Sequence, residues 1–333
     1  RGGTRDVSLN LEHGLRLLFP VGAGMHVGVG GGLRVDASRS SPVRMEGLEA
    51  RPGSWKGLRL DDGVKGVEIT GLDLGFGGSA TEAMLEWGNA QGSLLSSTLH
   101  DAVAYPAAVA APRLEALAGE DQEDPGLRNR YQDNGIQRLL VHTRLPLEQR
   151  LVTLVDPGLP LEADGSLTLA SAVNTVVKMG GGLDLRFRPE QGLLLSGPGQ
   201  RADLTFAPGR SGQPVHMGPL DLEGGQTWKG MRVLKGAALN GSGLVLEGGP
   251  SKDAGALLDL DEGVAELNDL VLRGAGTGVG LRVASGARMT LTGAQVSGFA
   301  TGILNEATGT LSVDRSLISG NRDWGLLSLR GDR

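Results

Sequence analysis

Carboxylates standing beside basic residues are where chemistry is first sought in this chain. Asp61 and Asp62 follow Arg59, and Asp259, Asp261 and Glu262 precede Arg282. Alternate side chains on a strand share a face, so Asp259 and Asp261 point the same way. Paired carboxylates of this kind hold a cation or work as general acid and base, and sugar hydrolysis needs two carboxyls roughly 5–10 Å apart across the bond. The plainer reading of all four is the solvated face of a strand and its turn. Trp87 and Trp324 are candidate platforms for a sugar ring, because an aromatic face packs well on a pyranose.

Other constellations fail on spacing. The histidines, His13, His26, His100, His142 and His216, never fall at H-x-x-x-H or another metal-ligand interval, so no metal is expected. The glycine-rich VGAGMHVGVGGG at 21–32 misses G-x-G-x-x-G because Val27 occupies the last position, and neither a G-x-x-x-x-G-K-(S/T) loop nor a G-x-S-x-G elbow occurs. No cofactor is expected. Arg330-Gly331-Asp332 spells an integrin-binding tripeptide, a match short enough to arise by chance.

Composition narrows the partners. With 32 basic and 38 acidic residues interspersed to a net charge of −6, no basic patch is offered to nucleic acid. Without a run of ~18 or more apolar residues, no transmembrane helix is expected. The chain has no cysteine, which excludes disulfides, thiolate metal sites and cysteine nucleophiles within it. Beginning at Arg1 and ending on SLRGDR with the pattern still running, it reads as a mature or trimmed piece.

The elements that would position these groups are short and repeated. Glycine contributes 56 of 333 residues and aromatics only 3%, which suits a narrow interior filled by Leu and Val rather than a compact globule. PGSWKGLRL at 52–60 returns as GQTWKGMRV at 225–233, placing Trp55 and Trp228 173 residues apart. At that offset AMLEW (83–87) lies over ALLDL (256–260) and Leu99 over Leu272, so a whole segment is duplicated. The duplicated Trp55, Gly57, Trp228 and Gly230 are read as structural. A finer period of 22–24 residues runs through DLVLRG, AQVSG and SLISG, ending at Gly274, Gly298 and Gly320. Strands of three to five residues bent at small residues gain their hydrogen bonds by stacking on copies of themselves ~4.8 Å away. At that spacing the chain would make about 15 coils and a rod about 70 Å long.

Gly53-Ser54-Trp55-Lys56-Gly57-Leu58 matches a G-x-W-x-G-(I/L/M) coil, and Ile318-Ser319-Gly320-Asn321 matches a late-coil I-x-G-N. In these features the chain resembles the right-handed parallel β-helix repeat proteins of bacteria, especially the secreted and cell-surface group. It departs from their pattern at Gln226, which replaces the first glycine of the second tryptophan motif, and in DGSLTLASA, where LASA replaces an I-E-P-G turn. The expected fold is all-β, a right-handed parallel β-helix of two duplicated halves. Residues 1–112 form the first half, 113–150 a linker or degenerate coil, and 151–333 the second half. Helix formers, EDQED and Pro125-Gly126 mark an irregular or partly helical excursion near 113–134.

Duplicated structural motifs, sparse aromatics and the lack of an acid–base constellation above background point to a non-enzymatic extracellular, periplasmic or envelope-surface module serving structure, adhesion or assembly. Partners would be another protein chain or further coils at the exposed β-helix ends. The alternatives are a polysaccharide lyase or glycoside hydrolase worked by Asp61, Asp62, Asp259 and Asp261, or a carbohydrate binder using Trp87 or Trp324.

Overall fold

A computed structural model describes residues 7–118, 124, 126–143, 151–170, 174–197, 201–208, 212–221, 227–284, 286–306 and 309–329. Strands hold 53% of the residues and helices 2%, and the strands pair in parallel as a β-solenoid of about 11 turns. The chain divides into two compact units, residues 1–142 with 156–161 and residues 143–155 with 162–333.

In the first unit each coil visits three sheets. The first sheet contains Val7–Glu12, Gly31–Asp36, Val67–Thr70 and Gly92–Leu95, and the second contains Arg16–Phe19, Val43–Gly47, Leu72–Gly75, Thr98–His100 and Arg130–Gln132. The third contains Met25–Val27, Leu58–Leu60, Leu85–Gly88, Ala107–Ala110 and Leu139–His142. The second unit repeats the plan, with seven strands from Leu151–Leu154 to Thr310–Asp314 in its first sheet and seven from Leu167–Ala170 to Trp324–Ser328 in its third. Between them its second sheet runs from Asp184–Phe187 to Leu317–Ile318.

Alternation decides which side chains face inward. In Arg288–Thr292, Met289 and Leu291 are buried while Arg288 and Thr290 are exposed. Parallel register then stacks like on like: Leu185, Met217, Leu246, Leu272, Val296 and Ile318 form one inner column of the second unit. Each fully buried aliphatic chain in such a column stabilises by about 1.5–3 kcal/mol.

Where the corner between first and second sheets is tightest, one left-handed residue turns it: Gly71 and Ser96 in the first unit, and Gly243, Asp269, Gly293 and Arg315 in the second. The expected 15 coils overcount, because loop length varies at every corner: first and second sheets are joined by the single residue Gly71 in one coil and by residues 37–42 in another. Register partners in the first sheets lie 22 residues apart at Arg288 and Thr310 but 34 apart at Leu33 and Val67, and 35 apart at Ala202 and Ala237. Both long coils are the ones that carry the duplicated tryptophan.

The excursion is partly helical. A 3-10 turn, Ala111–Arg113, leads into the α-helix Glu115–Ala118, and Leu114 and Leu117 are buried. Asn129 fastens this segment to the coils: its amide donates to Leu117 O and Leu94 O, and its Oδ1 accepts from Ser97 N. The strands Arg130–Gln132 and Leu139–His142 then pair with Thr98–His100 and Ala107–Ala110. Among the described residues, no helix is long and apolar enough to cross a membrane.

Candidate functional site

The duplicated tryptophans hold the corner that leads into the third sheet of each unit. Trp55 and Trp228 are buried, each stacked on a phenylalanine of the preceding coil, Phe19 at 4.4 Å and Phe187 at 5.1 Å between ring centres. Their indole N–H groups donate to main-chain carbonyls of the following coil, Gly75 O at 2.8 Å and Glu247 O at 3.0 Å. Gly57 and Gly230 follow with φ of +97° and +69°. A Cβ on either would lie 2.0 Å from Met84 O or 2.3 Å from Leu257 O, so only glycine lets the coils approach.

Beyond the glycine, each motif places an arginine on the outer face of the third sheet against a carboxylate of the next coil. Arg59 stands in register with Glu86, and Arg232 with Asp259. The two copies differ in what surrounds the carboxylate.

In the first unit the copy is open. A groove of about 630 Å³ is lined by His26, Lys56, Arg59, Glu82, Glu86 and His142 among others. Its charges largely satisfy one another. His26 Nε2 lies 2.8 Å from Asp61 Oδ1, which also accepts from Arg59 Nε at 3.3 Å, and these contacts hold the Asp61 carboxyl below its usual pKa, the His26 bond contributing most. His142 Nε2 reaches across the intervening strand Ala107–Ala110 to Glu86 Oε1 at 2.8 Å.

In the second unit the copy is closed. Asp259 is only 1% exposed, between Arg232 Nε at 3.3 Å and Arg282 Nε at 3.5 Å, and Arg282 also meets Glu306 at 3.2 Å. Burial raises the Asp259 carboxyl above its usual pKa, and the two guanidiniums only partly oppose it.

The other expected positions fall at corners or in the core. Asp62 Oδ1 accepts the Asn89 N–H at 2.7 Å, fixing a turn. Asp261 follows the strand Ala256–Leu260 and is half-buried, its own N–H donating to Val233 O. Alternation along the chain therefore does not place Asp259 and Asp261 in one exposed pair. Trp87 is buried with its indole N–H on Ala90 O, and Trp324 is exposed on the last described coil; neither lines the groove. Arg330-Gly331-Asp332 lies outside the described residues. Among the described residues, no group of three or more His, Asp or Glu is placed to hold a metal ion.

The second sheet of the first unit holds a further cluster that sequence spacing does not reveal. His100 directs Nε2 at Asp73 Oδ1 (3.1 Å) and Nδ1 at Asp101 Oδ2 (2.7 Å), and its ring packs edge-on against Phe76. Gly75, its register partner, makes room: a Cβ there would sit 2.4 Å from His100 Cε1. The Asp73 bond, opposed by burial and assisted by Asp101, raises the imidazole pKa to about 9. Gly218 plays the same part in the second unit, where Arg186 crosses over it to Glu247 at 3.3 Å.

No known protein family, curated protein or solved structure matches this chain.

Proposed function

We propose that the chain is a non-enzymatic structural module, a β-solenoid that serves adhesion or assembly outside the cytoplasm. The observation that carries this reading is the use of the carboxylates beside basic residues. Asp61 ties to His26 and Arg59, Asp62 fixes a turn, and Asp259 is buried between two arginines. A general acid or base must reach its substrate proton within about 2.6–3.2 Å, and a carboxylate buried at the Asp259 position has no such access. Its placement at the cell surface or in the periplasm follows from the resemblance to secreted β-helix proteins.

The test is incubation of the purified protein with a panel of neutral and acidic polysaccharides, following reducing ends and unsaturated uronate absorbance. No release above buffer is expected. Sustained turnover that survives repurification and falls with Asp61→Asn would overturn the reading. The open groove supports a second reading, non-catalytic binding of a polar polymer. Retardation of the protein in polysaccharide-containing native gels, lost on Glu86→Gln, would favour it.

A further inference from the structure

The second unit and the later coils of the first unit link their coils with different cations, although arginines also serve in the early coils of the first unit. In the second unit the ties are guanidinium–carboxylate contacts: Arg188 with Glu162 at 2.9 Å, Arg232 and Arg282 with Asp259, Arg282 with Glu306, and Arg186 with Glu247. His216 stands 3.9 Å from Glu247, but Arg186 already holds the same oxygen. In the later coils of the first unit, imidazoles make these links. His100 joins the coil of Asp73, and His142 joins Glu86 across 56 residues of chain.

We propose that the coils of the first unit joined at His100, residues 72–101, are a pH-responsive segment whose coil-to-coil tie loosens as that imidazole loses its second N–H, while the arginine-tied second unit stays closed. The geometry around His100 carries the inference. Both ring nitrogens face carboxylate oxygens, which only accept, so the arrangement needs two N–H donors. A neutral ring has one, and losing the other leaves Asp73 or Asp101 facing a lone pair.

The surrounding charges do not replace the missing donor. Arg44 shares Asp73 at 3.3 Å from the preceding coil, Glu46 lies in register with Gly75, and Arg130 and Gln132 follow on the next strand beside Thr98 and His100. Around His142 the groove presents Glu86, Glu82, Arg59, Lys56 and His26. A histidine whose folded pKa is raised adds stability that is complete below its unfolded value of 6.5 and is lost as pH rises through about 9. The responsive window is therefore neutral to mildly alkaline.

The test uses the full chain. NMR titration of the histidine ring protons reads His100 directly, and hydrogen exchange from pH 6 to 9.5, corrected for intrinsic exchange rates, reads opening strand by strand. Protection of Leu72–Gly75 and Thr98–His100 should fall on the order of tenfold across that range, below a ceiling of roughly 300-fold for a fully coupled site. Protection of Val264–Asn268 and Arg288–Thr292 in the second unit, strands without a histidine, should stay level. Asp101→Asn should lower the His100 midpoint and carry the exchange transition down with it. The proposal fails if His100 titrates near 6.5, if both units lose protection together, or if the first unit stays protected while His100 titrates.

Discussion

Replacing Gly57 by alanine isolates what the close approach of coils is worth. Gly57 has φ +97°, and a Cβ there would lie 2.0 Å from Met84 O, the oxygen that accepts the coil-to-coil bond from Leu58 N at 2.9 Å. Three costs combine: about 1–2 kcal/mol for a left-handed alanine, about 0.5–1.5 kcal/mol for the weakened hydrogen bond, and about 1–3 kcal/mol for the displaced backbone. Gly57→Ala should therefore destabilise by about 2.5–6.5 kcal/mol. Gly63 is the internal control: its φ is +81°, but nothing lies within 4 Å of its Cβ position, so Gly63→Ala carries only the backbone cost of about 1–2 kcal/mol. The assay is urea unfolding followed by hydrogen exchange of first-unit strands, since two units need not unfold in one step. Equal losses for the two variants would refute the argument that coil contact, rather than φ alone, demands glycine.

Trp55→Phe and Trp228→Phe should each cost about 2–4 kcal/mol, because each leaves a cavity where the larger indole packed and leaves a main-chain carbonyl without its buried indole hydrogen bond; urea midpoints that drop for only one would show that the copies are not equivalent. Asp259→Asn should cost less than about 1 kcal/mol, against the ~3–5 kcal/mol expected for breaking a buried pair that stabilises as a charge. Burial already raises this carboxyl above its usual pKa, so its charge adds little net stability, Arg282 keeps Glu306, and Arg232 is partly open to solvent. Thermal unfolding at pH 7 decides between these values. The sign follows from linkage: a carboxyl raised in the folded state makes stability fall as pH rises through its titration, so charged Asp259 is a net cost near neutrality.

The solenoid was legible in the sequence because stacking leaves a mark at fixed offset. Trp55 and Trp228 announce a duplicated coil, and the glycines after them mark the tightest approach. The phenylalanines they stack on were hidden, since Phe19 and Phe187 are 168 residues apart rather than 173 and fall out of alignment. Coil number was overestimated because the loops at all three corners vary in length, so counting one short period misreads the rest. The paired arginine and carboxylate, Arg59 with Glu86 and Arg232 with Asp259, depend on register between strands that only stacking supplies. The His142–Glu86 contact skips a coil altogether, and no interval along the chain points to it. Asp259 and Asp261 show the limit of strand alternation, which predicts a shared side but not that one carboxylate is buried while the other passes into a turn.

Parallel coils stacked in register position every group considered above, and the absence of cysteine from the chain makes that stacking directly testable by engineered crosslinks. Glu68 faces Ser93 in the first unit, and Thr290 faces Ser312 in the second. Partners on adjacent strands lie about 4.8 Å apart, within the span of a disulfide. Glu68→Cys with Ser93→Cys, and Thr290→Cys with Ser312→Cys, should oxidise rapidly to intramolecular disulfides in the folded chain, whereas Thr290→Cys with Asp314→Cys, two residues out of register, should stay reduced. Crosslinking of the offset pair in preference to the matched pairs would contradict the stacking on which every site described above depends.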